Sequence, residues 1–220
     1  MVARGARREH PEAVALQRYR AVLFDLLTGL VDSWTVWNRV AGGEAAGRRW
    51  RAAYLELTYG CGAYRPYETL VAEAARASDL PEGVAHRLAQ EWATIEPWDH
   101  APRILRALAA THRLGIVTNC SEQLGRAAAA RVGVPFDVLV TAERAGHYKP
   151  HPAPYQLALS ELGMTPQEVL FVAGSGFDLI GTARVGLDTY WHNRVGLPRP
   201  PQAPAPKWES RSLDLLKGAA

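Results

Sequence analysis

The chain has 220 residues, of which 48% are hydrophobic, and a formal net charge of +3. This size suits one large domain or a core domain with a small insertion. No stretch approaches the ~20 apolar residues of a membrane-spanning helix, and the arginines are spread along the predicted helices, so neither a membrane nor a nucleic acid is expected as a partner. The two cysteines, Cys61 and Cys120, are far apart in sequence, which predicts reduced thiols in a cytoplasmic protein. Segment 1–10 is charged and lacks the apolar core of a signal peptide, so we predict a loose N-terminal tail and no export.

The first predicted strand is a run of four apolar residues, 21–24, that leads directly into Asp25. A short continuous apolar run followed by a turn signal predicts a strand buried on both faces. Asp25 then lies at the carboxyl end of the strand, the edge where ligands collect in open parallel sheets. A carboxylate there can act as nucleophile, base or metal ligand, and the structural alternative is an Asp that caps a turn.

Residues 33–96 show only helical patterns, with Ser33 as the predicted first N-cap. Apolar residues such as Trp34, Trp37 and Val40 recur at helical spacing, and glycines punctuate the segment. The segment is much longer than a usual crossover connection. We therefore predict a helical cap at 33–96, inserted into a core formed by 1–32 and 97–220. Packing in the core is the common use of its tryptophans, and a pocket or a homodimer face are the alternatives.

From residue 97 onward, strands and helices alternate. We predict strands at 113–119, 136–141, 169–173 and 189–192, and helices at 101–111, 121–132, 152–162 and 179–185. This order predicts an α/β fold, a doubly wound parallel sheet with helices on both faces. The proline-rich stretch 197–206 is predicted as an extended surface linker, and 207–217 as an edge strand with a short helix.

Polar side chains follow four of the predicted strands and form a set of motifs. These are Phe-Asp at 24–25, Val-Thr-Asn at 117–119, Tyr-Lys-Pro at 148–150 and Phe-Val-Ala-Gly-Ser-Gly-Phe-Asp at 171–178. Each motif is weak alone, but the four stand in order across nearly the whole chain. In this respect the sequence resembles the haloacid dehalogenase superfamily, whose core is Rossmann-like.

The resemblance implies a role for each polar side chain. Asp25 attacks an electrophilic centre and forms a covalent ester, and Lys149 holds the charge of the nucleophile and lowers its pKa. Thr118 and Asn119 donate hydrogen bonds to an oxygen of the substrate or intermediate. The alternatives are a solvated lysine at 149 and a capped turn after the strand at 118–119.

Two positions separate the branches of the superfamily. Its phosphatases carry a second Asp two residues after the nucleophile, where this chain has Leu27, and an acidic residue in the fourth motif, where it has Gly174. Asp25 and Asp178 alone make a poor magnesium site. The resemblance therefore favours the 2-haloacid dehalogenases, which use no metal or other cofactor. The alternatives are a magnesium-dependent phosphatase and a catalytically idle binding module on the same fold.

In the 2-haloacid dehalogenases an arginine from a Trp-Arg pair in the cap receives the departing halide or the substrate carboxylate. Residues 50–51 form such a pair here, so the resemblance assigns this role to Arg51. Leu55, one helical turn on, is expected as an apolar wall, and Tyr155 and Phe177 match residues of the family's pocket. The alternatives are a solvated Arg51 on its helix and a core position for Tyr155.

The chain departs from the dehalogenase pattern at three places. Gly and Thr, third and fourth after the nucleophile in the family, are reversed here, and we expect Thr28 to bond with Asp25 from a shifted position. Ala173 replaces a serine, and Ser175 replaces an asparagine that binds the nucleophile or positions water. Leu27 and Thr28 complete the expected pocket. The partner predicted from this set is a small anionic molecule such as a short haloacid.

Overall fold

A computed structural model describes residues 14–217, so the tail predicted for residues 1–10 lies outside the described residues. The strands within this range are β1 (Ala21–Phe24), β2 (Arg113–Thr118), β3 (Val138–Thr141), β4 (Val169–Ala173), β5 (Asp188–His192) and β6 (Trp208–Ser210). They form one parallel sheet in the order β3-β2-β1-β4-β5-β6. This is the strand order of a doubly wound Rossmann-like sheet, and the predicted fold class is confirmed.

Helices cover both faces of the sheet. Over the same part of the chain the α-helices are α1 (Ser33–Val40), α2 (Glu44–Gly60), α3 (Tyr67–Ala77), α4 (Val84–Gln90), α5 (Ala101–Leu108), α6 (Glu122–Arg131), α7 (Ala142–Ala145), α8 (Pro152–Leu162) and α9 (Asp178–Val185). Short 3₁₀ helices occur at Leu16–Arg18, Glu91–Thr94, Pro166–Glu168 and Asp214–Leu216. None of the helices between residues 14 and 217 has the length and apolarity needed to cross a membrane.

Strand β1 is buried on both faces, as its unbroken apolar run predicts. Val22 and Phe24 belong to the hydrophobic cluster that includes α5, α6 and the helical segment 33–96. Ala21 and Leu23 belong to the cluster on the opposite face, with α8 and α9. This alternation follows from the two-residue period of a strand. Because β1 lies between β2 and β4, its carboxyl end is near the middle of the edge of the sheet where the parallel strands end.

The helical segment 33–96 leaves and re-enters the sheet region at neighbouring points. Val31 pairs with Pro97 in an isolated antiparallel bridge, and the amide of Asp32 donates to the carbonyl of Glu96 at 2.8 Å. These two contacts lie at the boundaries predicted at 32/33 and 96/97. The division into a core and a cap stays a prediction.

The tryptophans of this segment are largely internal. Trp37, Trp50 and Trp92 are at most 2% exposed, and the rings of Trp37 and Trp50 lie 4.6 Å apart. Burial of these large rings supports the interpretation of the tryptophans as core residues. The homodimer stays a prediction.

Several predicted element boundaries differ from the observed ones by a few residues. Asp32, not Ser33, is the N-cap of α1, because its side chain accepts from the amide of Thr35. The helix predicted at 101–111 ends at Leu108, and the strand predicted at 136–141 begins at Val138. The edge strand and short helix predicted for 207–217 are confirmed as β6 and a 3₁₀ turn.

The proline-rich stretch 197–206 has no helix or strand and is mostly exposed, as predicted for a surface linker, but two of its residues are buried. Pro200 and Ala203 are buried, and Pro200 packs against the backbone at Gly176. The stretch is therefore a surface segment, as predicted, whose Pro200 ring in addition packs on the loop that follows β4.

Candidate active site

The site lies at the carboxyl edge of the sheet, between β1 and β4. The connection that leaves β1 leads to β2 on one side of this point, and the connection that leaves β4 leads to β5 on the other side. Connections that diverge in this way leave a crevice between the loops at the carboxyl ends of the two strands. Asp25 follows β1, Asp178 begins α9 after β4, and Lys149 lies in the loop before α8. The topology therefore brings three charged side chains, far apart in sequence, to one crevice.

Lys149 bridges the two carboxylates. Its Nζ lies 2.8 Å from Asp25 Oδ1 and 3.0 Å from Asp178 Oδ1. All three residues are at most 5% exposed. The alternative of a solvated Lys149 is excluded, because this ammonium is buried and balances two buried carboxylates.

The pairing controls the charge of each group. Burial alone would raise the pKa of Asp25, but the charge of Lys149 and hydrogen bonds from Lys149 and Thr28 outweigh it and lower the pKa. Burial would lower the pKa of Lys149, but the charges of Asp178 and Asp25 raise it. At Asp178, burial and the charge of Asp25 raise the pKa against the opposing charge of Lys149. Asp25 is therefore ionised, the state that a carboxylate nucleophile needs.

The loop after β1 wraps around Asp25. Asp25 Oδ2 accepts hydrogen bonds from the hydroxyl of Thr28 at 2.6 Å and from the amides of Thr28 and Gly29 at 3.1 Å each. The expected bond between Thr28 and Asp25 is thus present despite the reversed Thr-Gly order. Two side chains from other segments contact the carbonyl groups of this loop. Trp98 Nε1 donates to the Thr28 carbonyl at 3.1 Å, and His192 Nδ1 lies 2.8 Å from the Gly29 carbonyl.

The structure separates the two polar residues after β2. Asn119 lines the cavity, and its amide is engaged with the backbone of Lys149, donating to the carbonyl at 3.0 Å and accepting from the amide at 2.7 Å. Asn119 therefore positions the Lys149 loop. Thr118 is fully buried, does not line the cavity, and its hydroxyl has no hydrogen-bond partner among residues 14–217. Thr118 therefore lies outside the lining of the cavity, and its predicted hydrogen bond to a substrate oxygen stays a prediction.

Arg51 enters the site from α2. It is 8% exposed, lines the same cavity as Asp25, and its Nη2 donates to the Ser33 hydroxyl at 2.9 Å. Its guanidinium lies 4.2 Å from the ring centroid of Trp34. Nη1 is buried and has no hydrogen-bond partner among the described residues. Arg51 is not a solvated helix residue, because its guanidinium is buried beside the cavity and its Nη1 keeps a donor that a bound anion could satisfy.

Ser33, expected as a helix cap, instead connects Arg51 to the nucleophile loop. Its hydroxyl accepts from Arg51 and donates to the carbonyl of Leu27. Leu27 lines the cavity beside Asp25. The guanidinium on α2 and the loop after β1 are therefore coupled through one buried hydroxyl.

The cavity has a volume of about 120 Å³. Besides the charged groups, it is lined by the predicted residues Leu27, Thr28, Leu55, Asn119, Ser175 and Phe177. Tyr155 is absent from the lining. Its hydroxyl donates to Asp178 Oδ1 at 2.9 Å from behind, and its ring packs on Phe171. These contacts favour the alternative of a core position for Tyr155, and its predicted substrate contact stays a prediction.

Sequence reasoning missed several lining residues. Trp34, Tyr54 and Tyr59 come from the helical segment, and the ring of Tyr59 lies 4.6 Å from that of Phe177. Tyr59 follows Leu55 by four residues on α2, as Leu55 follows Arg51, so helical spacing could have found it. Leu197, Pro198 and Pro200 also line the cavity, and no local pattern marks them as site residues.

The donor set does not suit a magnesium ion. The position of the phosphatases' second Asp is filled by Leu27, and a Cβ atom at Gly174 would lie 2.2 Å from the amide nitrogen of Gly29, so no acidic side chain fits there. Lys149 already lies between Asp25 and Asp178. Within residues 14–217, no three His, Cys, Asp or Glu side chains are grouped so that they could hold a metal. The positive charge beside the nucleophile comes from Lys149.

Comparison with known proteins identifies the family. The sequence profile described as haloacid dehalogenase-like hydrolase matches residues 22–192, and the chain belongs to this family of hydrolases. Haloacetate dehalogenase H-2 of Moraxella sp. (strain B) is 29% identical over 198 residues, which cover 82% of this chain and 88% of the relative. The (S)-2-haloacid dehalogenase of Pseudomonas sp. (strain YL) is 28% identical over 211 residues, covering 88% and 91%. A crystal structure of an L-2-haloacid dehalogenase superimposes with a TM-score of 0.81 at 28% identity, covering 90% of this chain and 97% of the other. The resemblance predicted from the four motifs is confirmed.

Proposed function

We propose that the protein is a metal-independent 2-haloacid dehalogenase. The observation that carries the proposal is one small cavity lined by an ionised Asp25, neutralised by Lys149, and by Arg51, whose buried Nη1 has no hydrogen-bond partner within residues 14–217. Such a site offers a carboxylate nucleophile and a separate cation for an anionic substrate. The relatives named as haloacid and haloacetate dehalogenases support the same reaction.

The first step is a displacement at carbon. An oxygen of Asp25 forms a bond to the carbon that carries the halogen, the carbon–halogen bond breaks, and the halide leaves with the bonding electrons. The three donors at Asp25 Oδ2 form a ready oxyanion site. We assign the attack to Oδ1, because Oδ2 is then placed to carry negative charge when the ester is hydrolysed.

The second step is hydrolysis of the aspartyl ester. Asp178 Oδ2 is buried without a hydrogen-bond partner among the described residues, and the pKa of this carboxyl is raised by burial and by the charge of Asp25. We assign Asp178 as the base that takes a proton from the attacking water. Ser175 lines the cavity next to it and orients that water. Water adds to the ester carbonyl carbon, and the bond between this carbon and the substrate oxygen then breaks. The proton held by Asp178 passes to the leaving oxygen, so that a 2-hydroxyacid departs, and Asp25 loses its own proton to solvent and is regenerated as a carboxylate.

Arg51 binds the carboxylate of the substrate or the departing halide. The apolar walls formed by Leu27, Leu55 and Phe177 leave this anion few other partners, so the buried guanidinium contributes strongly. The volume of about 120 Å³ is well below the roughly 300–1,000 Å³ of drug-sized pockets. The substrate class is therefore a small anionic molecule such as a short haloacid.

We infer that residues 33–96 act as a cap over the site, because α2 supplies Arg51, Leu55 and Tyr59 from outside the sheet core. We also infer a cytoplasmic protein, since Cys61 and Cys120 are both free thiols.

The test is halide release from chloroacetate and short 2-chloroacids, with and without a chelator, beside a generic phosphate ester with magnesium. We expect halide release that excess chelator leaves unchanged and no hydrolysis of the phosphate ester. Magnesium-dependent phosphate release without halide release would replace the proposal with the phosphatase alternative. Binding of haloacids without turnover would favour the idle binding module.

A further inference from the structure

The proline-rich segment contributes an apolar wall to the cavity, formed by Leu197, Pro198 and Pro200 and called here the proline wall. We propose that the proline wall sets the longest carbon chain that the site accepts. This inference rests on the proposed function and adds to it the chain-length range of the substrate.

The wall lies next to the loop that follows β4. A Cβ atom at Gly176 would lie 2.7 Å from Pro200 Cδ and 3.1 Å from Trp191 Cζ2. Pro200 is therefore in direct contact with the backbone between Ser175 and Phe177, both of which line the cavity. Only a residue without a side chain permits this approach at position 176.

The wall is rigidly anchored. Asn193 clamps Leu197 through two hydrogen bonds, accepting from its amide at 2.8 Å and donating to its carbonyl at 2.9 Å. Asn193 is itself 7% exposed and also donates to Glu209 on β6 at 2.8 Å. The amide of Ala203 closes the segment by donating to the Pro200 carbonyl at 2.9 Å. Proline rings fix φ in addition, so the wall has little freedom to move aside for a longer ligand.

The chemistry of the wall decides which part of the substrate meets it. Its side chains are apolar and carry no donor for a carboxylate, whereas Arg51 supplies a cation elsewhere in the cavity. The proposal accordingly places the carboxylate at Arg51 and the alkyl substituent against the wall. One methylene more or less in an apolar pocket changes kcat/KM by roughly 10–200-fold, so a rigid wall discriminates sharply by length.

The experiment compares kcat/KM for chloroacetate, 2-chloropropionate, 2-chlorobutyrate and 2-chlorohexanoate. We expect the wild type to favour the shorter acids, and Leu197→Ala to raise the ratio of 2-chlorohexanoate to chloroacetate by about 10-fold or more. Leu197→Phe should shift the ratio the opposite way. Gln202→Ala is the matched control, because Gln202 lies on the same segment but is exposed and does not line the cavity. An unchanged ratio in both Leu197 variants, or an equal loss for all four acids, overturns the proposal.

A second measurement separates this inference from the proposed function. Thermal stabilisation by unreactive acetate, butyrate and hexanoate reports binding without any carbon–halogen chemistry. If the wild type releases no halide, the dehalogenase proposal fails, but a gain of hexanoate binding in Leu197→Ala relative to wild type still supports the wall. Equal stabilisation by all three acids in both proteins contradicts it.

Discussion

Gly174 lies so close to Thr28 that a Cβ atom at position 174 would be 2.4 Å from the Thr28 hydroxyl oxygen. That hydroxyl donates to Asp25. The backbone of the loop after β4 therefore packs, at Gly174, directly against the loop that holds the nucleophile. The place where the phosphatases of the superfamily carry an acidic residue is filled by the neighbouring loop.

We expect Gly174→Asp to lower the free energy of unfolding by about 1–3 kcal/mol, because the added side chain must displace the nucleophile loop. Halide release should be lost, and magnesium should not create phosphatase activity. Urea denaturation and both assays test this. Gly60→Ala is the control, since its Cβ would meet nothing within 4 Å. A stable Gly174→Asp protein with magnesium-dependent phosphatase activity would contradict the account of the site.

Asp25→Asn should reduce turnover by several orders of magnitude while the protein stays folded, because a neutral amide cannot form the covalent ester. Stopped-flow or long-incubation halide assays measure the loss, and mass spectrometry of Asp25→Asn checks for deamidation back to aspartate. Near-normal rates from a verified asparagine protein would show that another group is the nucleophile.

Arg51→Lys keeps a positive charge but loses the planar group that bonds with Ser33 through Nη2 and carries the buried donor Nη1. We expect kcat/KM to fall by about 10²-fold or more. Arg48→Ala and Arg49→Ala are matched controls on the same helix, because both side chains are exposed and Arg48 pairs with Glu44 at the surface. Losses of equal size in all three variants would contradict a specific role of Arg51 in the site.

His192 predicts a dependence of stability on pH. Burial lowers the pKa of His192 to about 4, against about 6.5 in an unfolded chain. Between these values the unfolded chain binds a proton that the folded protein does not. The contribution to stability is therefore complete above about pH 6.5 and is lost as the pH falls toward 4, by about 3 kcal/mol in total.

His192→Gln retains a donor for the Gly29 carbonyl and removes the titrating ring. Its stability should change less than that of the wild type between about pH 7 and about pH 4.5, measured by urea denaturation. His86→Gln, at an exposed position, should behave like the wild type. Parallel pH profiles for the wild type and His192→Gln would contradict this prediction.

The sequence by itself determined the sheet and the charged centre of the site. An apolar run buried on both faces is a local signal, and the carboxyl ends of parallel strands meet at one edge of the sheet. For this reason Asp25, Lys149 and Asp178 could be placed together before any contact was known. Arg51 could be added because the resemblance to the 2-haloacid dehalogenases implies a role for the Trp-Arg pair, and Leu55 because it lies one helical turn further on.

Only the tertiary structure decided which other residues reach the cavity and what the polar groups bond with. Asn119 turns to the Lys149 backbone, Tyr155 supports Asp178 from behind, and the proline wall closes over the loop after β4. His192, 163 positions from Gly29, holds the nucleophile loop. These contacts depend on how distant segments pack against each other, and neither strand nor helix periodicity carries information about such packing.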